Sequence, residues 1–302
     1  MGQHYFTFTF EDQDYDIVKY YEYWVYPPVT VNKKVVIAQD SFFKLNLPKD
    51  ACGEVMFTLI DDDGEEEEFD IYYEDGVFEI HSSALTPGNY EVSSFVIIDD
   101  EYGSFSWDDS PLFETADVIG SFKAEYPKNA AISAKDAKVT YTEALTYKVK
   151  VTVGSRAVED VKVTFKIDGK VVKTTSTDEN GYATLKISKK PGTYKITVVS
   201  LGKTVTKTLT VNHVVKLTKL SKIKKTAKKL TLTATLSKVN GKYLSNKVVT
   251  FKFNKVTYKK VTNSKGVATL TIPKATIKAL GKKVSYQATY SGDTVKYTVK
   301  VK

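Results

Sequence analysis

Residues Thr262–Ile272 read TNSKGVATLTI: a polar turn, a glycine, then Ala268, Leu270 and Ile272 alternating with threonine. A period of two sends successive side chains to opposite faces of an extended strand, so one face here is apolar and the other wet. The same phrase stands upstream as TDENGYATLKI (Thr177–Ile187), and VTFKF (Val249–Phe253) is matched by VTFKI (Val163–Ile167). Two stretches of the chain therefore follow one plan. Outward from these elements the alternation continues. In the C-terminal third it runs through Leu230–Leu236, Val284–Tyr290 and Val295–Val301, punctuated by Asn240-Gly241, Lys265-Gly266 and Ser291-Gly292. In the middle third it runs through Tyr147–Val153, Val161–Ile167, Ala183–Ile187, Tyr194–Ser200 and Val205–Val211, with Asp168-Gly169 and Asn180-Gly181 predicting hairpins. Short alternating strands at regular spacing predict an all-β chain of antiparallel sandwiches. Only Pro273–Leu280, with proline at its start, reads as a short helix.

The first third diverges but keeps the landmarks. Gly53–Leu59 reads as a strand, and Asp75–Ile80 parallels the later Gly-x-Ala-Thr-Leu element. Pro87-Gly88-Asn89-Tyr90 parallels Pro191-Gly192-Thr193-Tyr194. In both, a tyrosine opening a strand can bury its ring while its hydroxyl bonds nearby backbone, as in a tyrosine corner. The Tyr- and Phe-rich stretch up to Pro27-Pro28 is expected to supply edge strands. The division that follows is an acidic domain 1–126, a domain 127–213 and a basic domain 214–302.

Composition agrees. Tyr (20) and Phe (15) are abundant beside Val and Thr, whereas Met (2) and Trp (2) are scarce, and aromatic and β-branched residues suit pleated surfaces. One cysteine, Cys52, excludes an internal disulfide and a Cys-based zinc cluster. No run of apolar residues reaches the roughly 18 needed to span a bilayer. The start, MGQHYFTFTF, has neither the basic stretch nor the apolar core of a signal peptide, and the expectation is a start codon on a mature or truncated chain.

The net charge of +8 conceals a gradient. Residues 1–126 hold 28 Asp+Glu against 6 Lys; residues 127–213 hold 16 Lys+Arg against 7 acids; residues 214–302 hold 22 Lys against one acid, Asp293. Such segregation acts on solubility and partner choice rather than on the fold, and it permits salt-sensitive head-to-tail association.

VTFKF (Val249–Phe253), TNSKGVATLTIPK (Thr262–Lys274) and YSGDTVKYTVKVK (Tyr290–Lys302) resemble the bacterial-type immunoglobulin-like repeats of adhesin-like surface proteins from methanogenic archaea. LPKDACGEV (Leu47–Val55) and GVFEI with LTPGNYEV (Gly76–Val92) resemble another repeat of that superfamily. The resemblance implies tandem immunoglobulin-like sandwiches, an extracellular place on the cell surface and a stalk or display role in a longer parent protein. It names no ligand.

Candidate sites are few. His4, His81 and His213 are scattered, and no phosphate loop, nucleophile elbow or H-E-x-x-H occurs, so no enzyme is expected. No cofactor is expected either, with calcium the one cation to consider: Asp61, Asp63 and Glu65 in the acidic run Asp61–Glu68 offer oxygen ligands at alternating spacing. The competing reading is a solvated hairpin. Lys222, Lys224, Lys225, Lys228, Lys229, Lys282 and Lys283 suit attachment to an anionic cell-envelope polymer. Nucleic acid fits poorly, because Arg156 is the sole arginine and arginine carries base readout. Tyr21, Tyr23, Trp24 and Tyr26 could make the first domain a head that binds a cell-surface glycan or protein, or could be core. The resemblance to such repeats also raises an intramolecular Lys–Asn amide bond, for which Lys148 and Asn212 are the candidate pair.

Overall fold

Two short strands, Ala130–Ser133 and Ala137–Thr140, are separated by Ala134-Lys135-Asp136, and that break organises the middle unit. Before it the chain pairs antiparallel with Leu145–Val153; after it the chain pairs parallel with Lys203–Asn212 in the facing sheet. Two bonds hold the crossing: the Tyr147 hydroxyl donates to the Lys135 carbonyl at 2.7 Å, and Asp136 accepts from Thr208 N–H at 2.8 Å. Burial, helped by the Asp136 charge, pushes the Tyr147 phenol up, which keeps it a donor.

One sheet of this unit joins Ala130–Ser133, Leu145–Val153 and Tyr182–Ile187, with Arg156–Ala157 also on Leu145–Val153. The other runs Ala137–Thr140, Lys203–Asn212, Gly192–Ser200, Lys162–Ile167, Lys170–Ser176. The last unit repeats the order. Val215–Leu217, Lys229–Leu236 and Val267–Pro273 face Asp293–Lys300, Lys283–Tyr290, Val248–Phe253 and Val256–Val261, and Ile223 bridges Val301 in parallel where the middle unit has its crossing strand. In the first unit Lys34–Val36 pairs parallel with Gly120–Glu125, followed by Gly88–Asp99, Gly53–Asp61 and Glu66–Tyr73. This is the immunoglobulin-like sandwich in tandem. The computed structural model describes residues 31–42, 52–74, 80, 82–93 and 120–302 in full, and residues 2–12, 15–25, 29–30, 43–45, 94–99 and 114–115 as backbone.

The inward positions of the alternating strands form the cores. Val149, Val151, Val163, Phe165, Ile196, Val198 and Leu209 are each 1% exposed or less, as are Leu232, Phe251, Phe253 and Ile272 in the last unit. In the first unit Phe42, Phe122 and Tyr90 stack in series at 5.3 Å centroid separations. Each such side chain stabilises by about 1.5–3 kcal/mol on burial, so a set of them exceeds what one disulfide supplies, about 2–4 kcal/mol. A chain with a single cysteine can therefore hold these sandwiches.

The tyrosine corners form as the sequence suggests: Tyr90 donates to Thr86 O at 2.9 Å and Tyr194 to Lys190 O at 2.8 Å. The short helix is Lys274–Lys278, started by Pro273. Asp168-Gly169 does close a hairpin between Lys162–Ile167 and Lys170–Ser176. Asn180-Gly181 does not. It carries the chain from Lys170–Ser176 in one sheet to Tyr182–Ile187 in the other, because Thr177 and Asp178 anchor the turn between the layers. Thr177 Oγ1 donates to Val158 O at 2.6 Å and accepts from Val161 N–H, while Asp178 accepts from Asn180 and Tyr182 N–H. In the repeat Thr262 bonds Leu244 O and Lys247 N–H, and Asn263 accepts from Lys265 and Val267 N–H. The shared sequence phrase is this inter-sheet turn.

The aromatic N-terminal stretch differs from expectation. Gly2–Asp12 and Tyr15–Val25 pair antiparallel with each other, and among the described residues no third strand joins them.

Candidate functional site

The strand order gathers the lysines singled out in the sequence at one pole of the last unit. Ile223 N–H donates to Lys300 O and Lys225 N–H to Lys302 O, which lays Lys222, Lys224 and Lys225 beside the end of the final strand. On the other side of that strand Lys283 faces Lys300 and Lys282 O accepts from Val301 N–H. Lys229 faces Pro273, bringing Lys228 and Lys229 next to the short helix. All seven are exposed. The fold adds Lys274, Lys278, Lys300 and Lys302, also exposed, which sequence reasoning missed. Their membership depends on register, and no local motif marks it. Among the described residues no carboxylate side chain pairs with any of these lysines. The lone acid, Asp293, sits at the opposite end of Asp293–Lys300, about 23 Å away at strand rise.

The acidic run is a turn. Asp61 Oδ1 accepts from the N–H groups of Asp63 and Glu65, both at 2.9 Å, and Gly64 takes φ +78°. Asp62 accepts from the backbone and side chain of Asn89, each at 2.8 Å; these bonds, the backbone one first, hold its carboxyl below the usual range. Asp61, Asp63 and Glu65 are thus not brought together as a cation cage, and among the described residues no group of three His, Cys, Asp or Glu is placed to hold a metal. The alternating spacing reflects a carboxylate capping its own loop. The side chains of Tyr21, Tyr23 and Trp24, and all of Tyr26, lie outside the described residues.

Polar side chains tie successive units. Arg156 Nη2 donates to Ala38 O at 2.7 Å, so the chain's one arginine serves the first junction. At the second, Glu143 accepts from Asn240 N–H at 2.8 Å and from Thr140 N–H at 3.2 Å. His213 Nδ1 lies 2.6 Å from Asp293 Oδ1, and Asp293 Oδ2 accepts from Val215 N–H at 2.9 Å. The Asn240 backbone bond, then the Thr140 one, holds the Glu143 carboxyl below the ordinary 4.5. A carboxyl lowered on folding stabilises the fold above its unfolded value and loses that contribution as pH falls through the folded value. The urea midpoint of the wild type should therefore exceed that of Glu143→Gln at pH 7, with the gap closing as pH drops below 4.5. A gap independent of pH would show that the carboxylate charge is not what joins the units.

Lys148 and Asn212 are not neighbours for an amide bond. Lys148 faces out of the sheet containing Tyr182–Ile187, its Nζ 3.5 Å from the Tyr182 ring centroid, whereas Asn212 ends a strand of the facing sheet.

No protein-family model matches the chain, and no curated protein matches it. Among solved structures it is similar to the D0-D1 domain of intimin, at 22% identity over 57% of this chain and 97% of that one, with a TM-score of 0.25. It is also similar to a Ca2+-stabilised, ice-binding adhesin of an Antarctic bacterium, at 15% identity over 98% of this chain and 80% of that one, TM-score 0.21. A third is invasin, a bacterial integrin-binding protein, at 16% identity over 57% of this chain and 38% of that one, TM-score 0.26.

Proposed function

We propose that the chain is a non-catalytic, adhesin-like structural segment of an extracellular surface protein of the methanogen type that its sequence resembles. Its domains are 1–126, 127–213 and 214–302. The last seats on an anionic polymer of the cell envelope, and the acidic first unit is displayed outward. The observation that carries this is the pole at Lys222, Lys224, Lys225, Lys228, Lys229, Lys282 and Lys283, joined by Lys274, Lys278, Lys300 and Lys302 and paired, among the described residues, with no acid side chain. Clustered exposed ammonium groups without local counter-charges attract a polyanion and lose that attraction as salt rises. Engagement of Arg156 by Ala38 O favours a wall polymer over nucleic acid, since it leaves no arginine to stack on or read bases.

Co-sedimentation of the full chain with purified archaeal cell walls, at low and high salt and with competing DNA, tests the reading. Wild type should pellet at low salt despite the DNA, and Lys222→Glu/Lys224→Glu/Lys225→Glu should bind at least about tenfold more weakly, a loss of about 1.4 kcal/mol. Displacement by DNA would move the pole to nucleic acid; failure to pellet at any salt would remove the anchor.

A further inference from the structure

Val256–Val261 closes one side of its sheet and, among the described residues, pairs only with Val248–Phe253. Among the described residues no strand lies on its outer side, and Val256 and Val261 are more than half exposed. Glu66–Tyr73 holds the corresponding place in the first unit, pairing among the described residues only with Gly53–Asp61. The two are opposite in charge: Glu66, Glu67, Glu68 and Asp70 are exposed on one, Lys259 and Lys260 on the other.

Backbone polarity makes them complementary as well. Asn254 and Lys255, at φ +43° and +71°, form a two-residue turn whose flanking residues Phe253 and Val256 are a hydrogen-bonded pair. Alternation from there turns the N–H and C=O groups of Thr257, Lys259 and Val261 outward. On the acidic strand Asp61 N–H donates to Glu65 O, so the outward groups belong to Glu66, Glu68 and Asp70. An antiparallel register that sets Glu68 opposite Lys259 then makes Glu66–Val261 and Asp70–Thr257 hydrogen-bonded pairs too. Between them Glu67 meets Lys260 and Phe69 meets Tyr258, side by side on the core-facing side. Phe69 and Tyr258 are both half-buried.

We propose that the chain assembles head to tail through this strand pairing, the Glu66–Asp70 stretch of one copy docking on the Val256–Val261 edge of the next. Like edges repel, acid from acid and lysine from lysine, so the charges that block random edge pairing also select this one. The contact joins unlike surfaces, so a pair of copies still has one edge of each kind open, and further copies add head to tail in a filament or, where the rotation closes, a ring. The inference stands on the two edges and not on the envelope attachment proposed above, and purified chain without polymer tests it.

Sedimentation velocity of the full chain should show concentration-dependent association at about 20 mM salt that weakens at least about tenfold at about 0.5 M, where the screening length is shorter than the strand. Glu67→Lys/Glu68→Lys and Lys259→Glu/Lys260→Glu should each sediment as monomers, and mixing them should restore association, because each supplies the wild-type edge the other lacks. A wild type that stays monomeric at every concentration, or either variant associating as wild type does, overturns the proposal. Two soluble variants that stay apart when mixed also overturn it.

Discussion

Replacing Gly181 with alanine lowers the stability of the middle unit by about 3 kcal/mol or more, a drop of about 12 °C or more in its melting transition. Two costs combine. Gly181 sits at φ +73°, in the left-handed region where a Cβ costs about 1 kcal/mol. The added Cβ would also lie 2.6 Å from Val151 O and 3.1 Å from the Ala157 side chain. Val151 O belongs to the backbone of a central strand, so relief requires moving the strand that donates Val151 N–H to Gly181 O at 2.8 Å. Gly169→Ala is the control: φ is +82°, yet no atom lies within 4 Å of its Cβ position, so only the conformational cost of about 1 kcal/mol applies. Scanning calorimetry of both variants checks this. Equal shifts would mean that the close approach at Gly181 carries no energy.

Asp293→Ala costs about 2–4 kcal/mol and loosens the junction between the last two units. Asp293 is 1% exposed, and its two oxygens serve His213 from the linker and Val215 N–H at the entry to the last sandwich. Val215 is itself 1% exposed, so truncation strands a buried N–H group. With the carboxylate accepting, His213 Nδ1 carries the proton. His213 is half exposed, so His213→Ala should cost less than half as much, water replacing the lost donor. Urea denaturation orders the two variants, and proteolysis between Asn212 and Val215 should accelerate in Asp293→Ala alone. If His213→Ala proves as damaging, the imidazole and not the buried carboxylate anchors the joint.

Much of the fold was legible because alternation is a direct image of a half-buried strand. Leu232, Ala234 and Leu236, read as one face, are that face, and Pro273 starts the only α-helix among the described residues. Asn180-Gly181 was misread because local turn chemistry is the same whether the next strand pairs beside the last one or crosses to the other sheet. Only the buried hydroxyl of Thr177, invisible as such in the sequence, separates the two cases. Asp61, Asp63 and Glu65 had the spacing of ligands and serve a turn, since a carboxylate that caps its own loop has the same spacing. Asp293 is visible in the sequence as the only acid beside 22 lysines, but its burial and its bonds to His213 and Val215 come from the fold and have no local signature. The lysine pole was half legible, because lysines adjacent in sequence are visible as a run and lysines joined by register are not.

The crossing strand of each unit has a consequence for load. Ala137–Thr140 lies parallel to Lys203–Asn212, so a pull that draws the start of the unit away from its end slides these strands along each other. Their hydrogen bonds lie across the direction of force and must fail together, unlike a hairpin that opens like a zip, one bond at a time. Lys34–Val36 meets Gly120–Glu125 in the same sense over a shorter span, and in the last unit Ile223 bridges Val301, with Ile223 and Lys225 N–H donating to Lys300 and Lys302 O and Lys302 N–H to Ile223 O. A tether built from these units would resist tension most in its middle, where the parallel pairing is longest, so a load along the chain would open its ends before its centre.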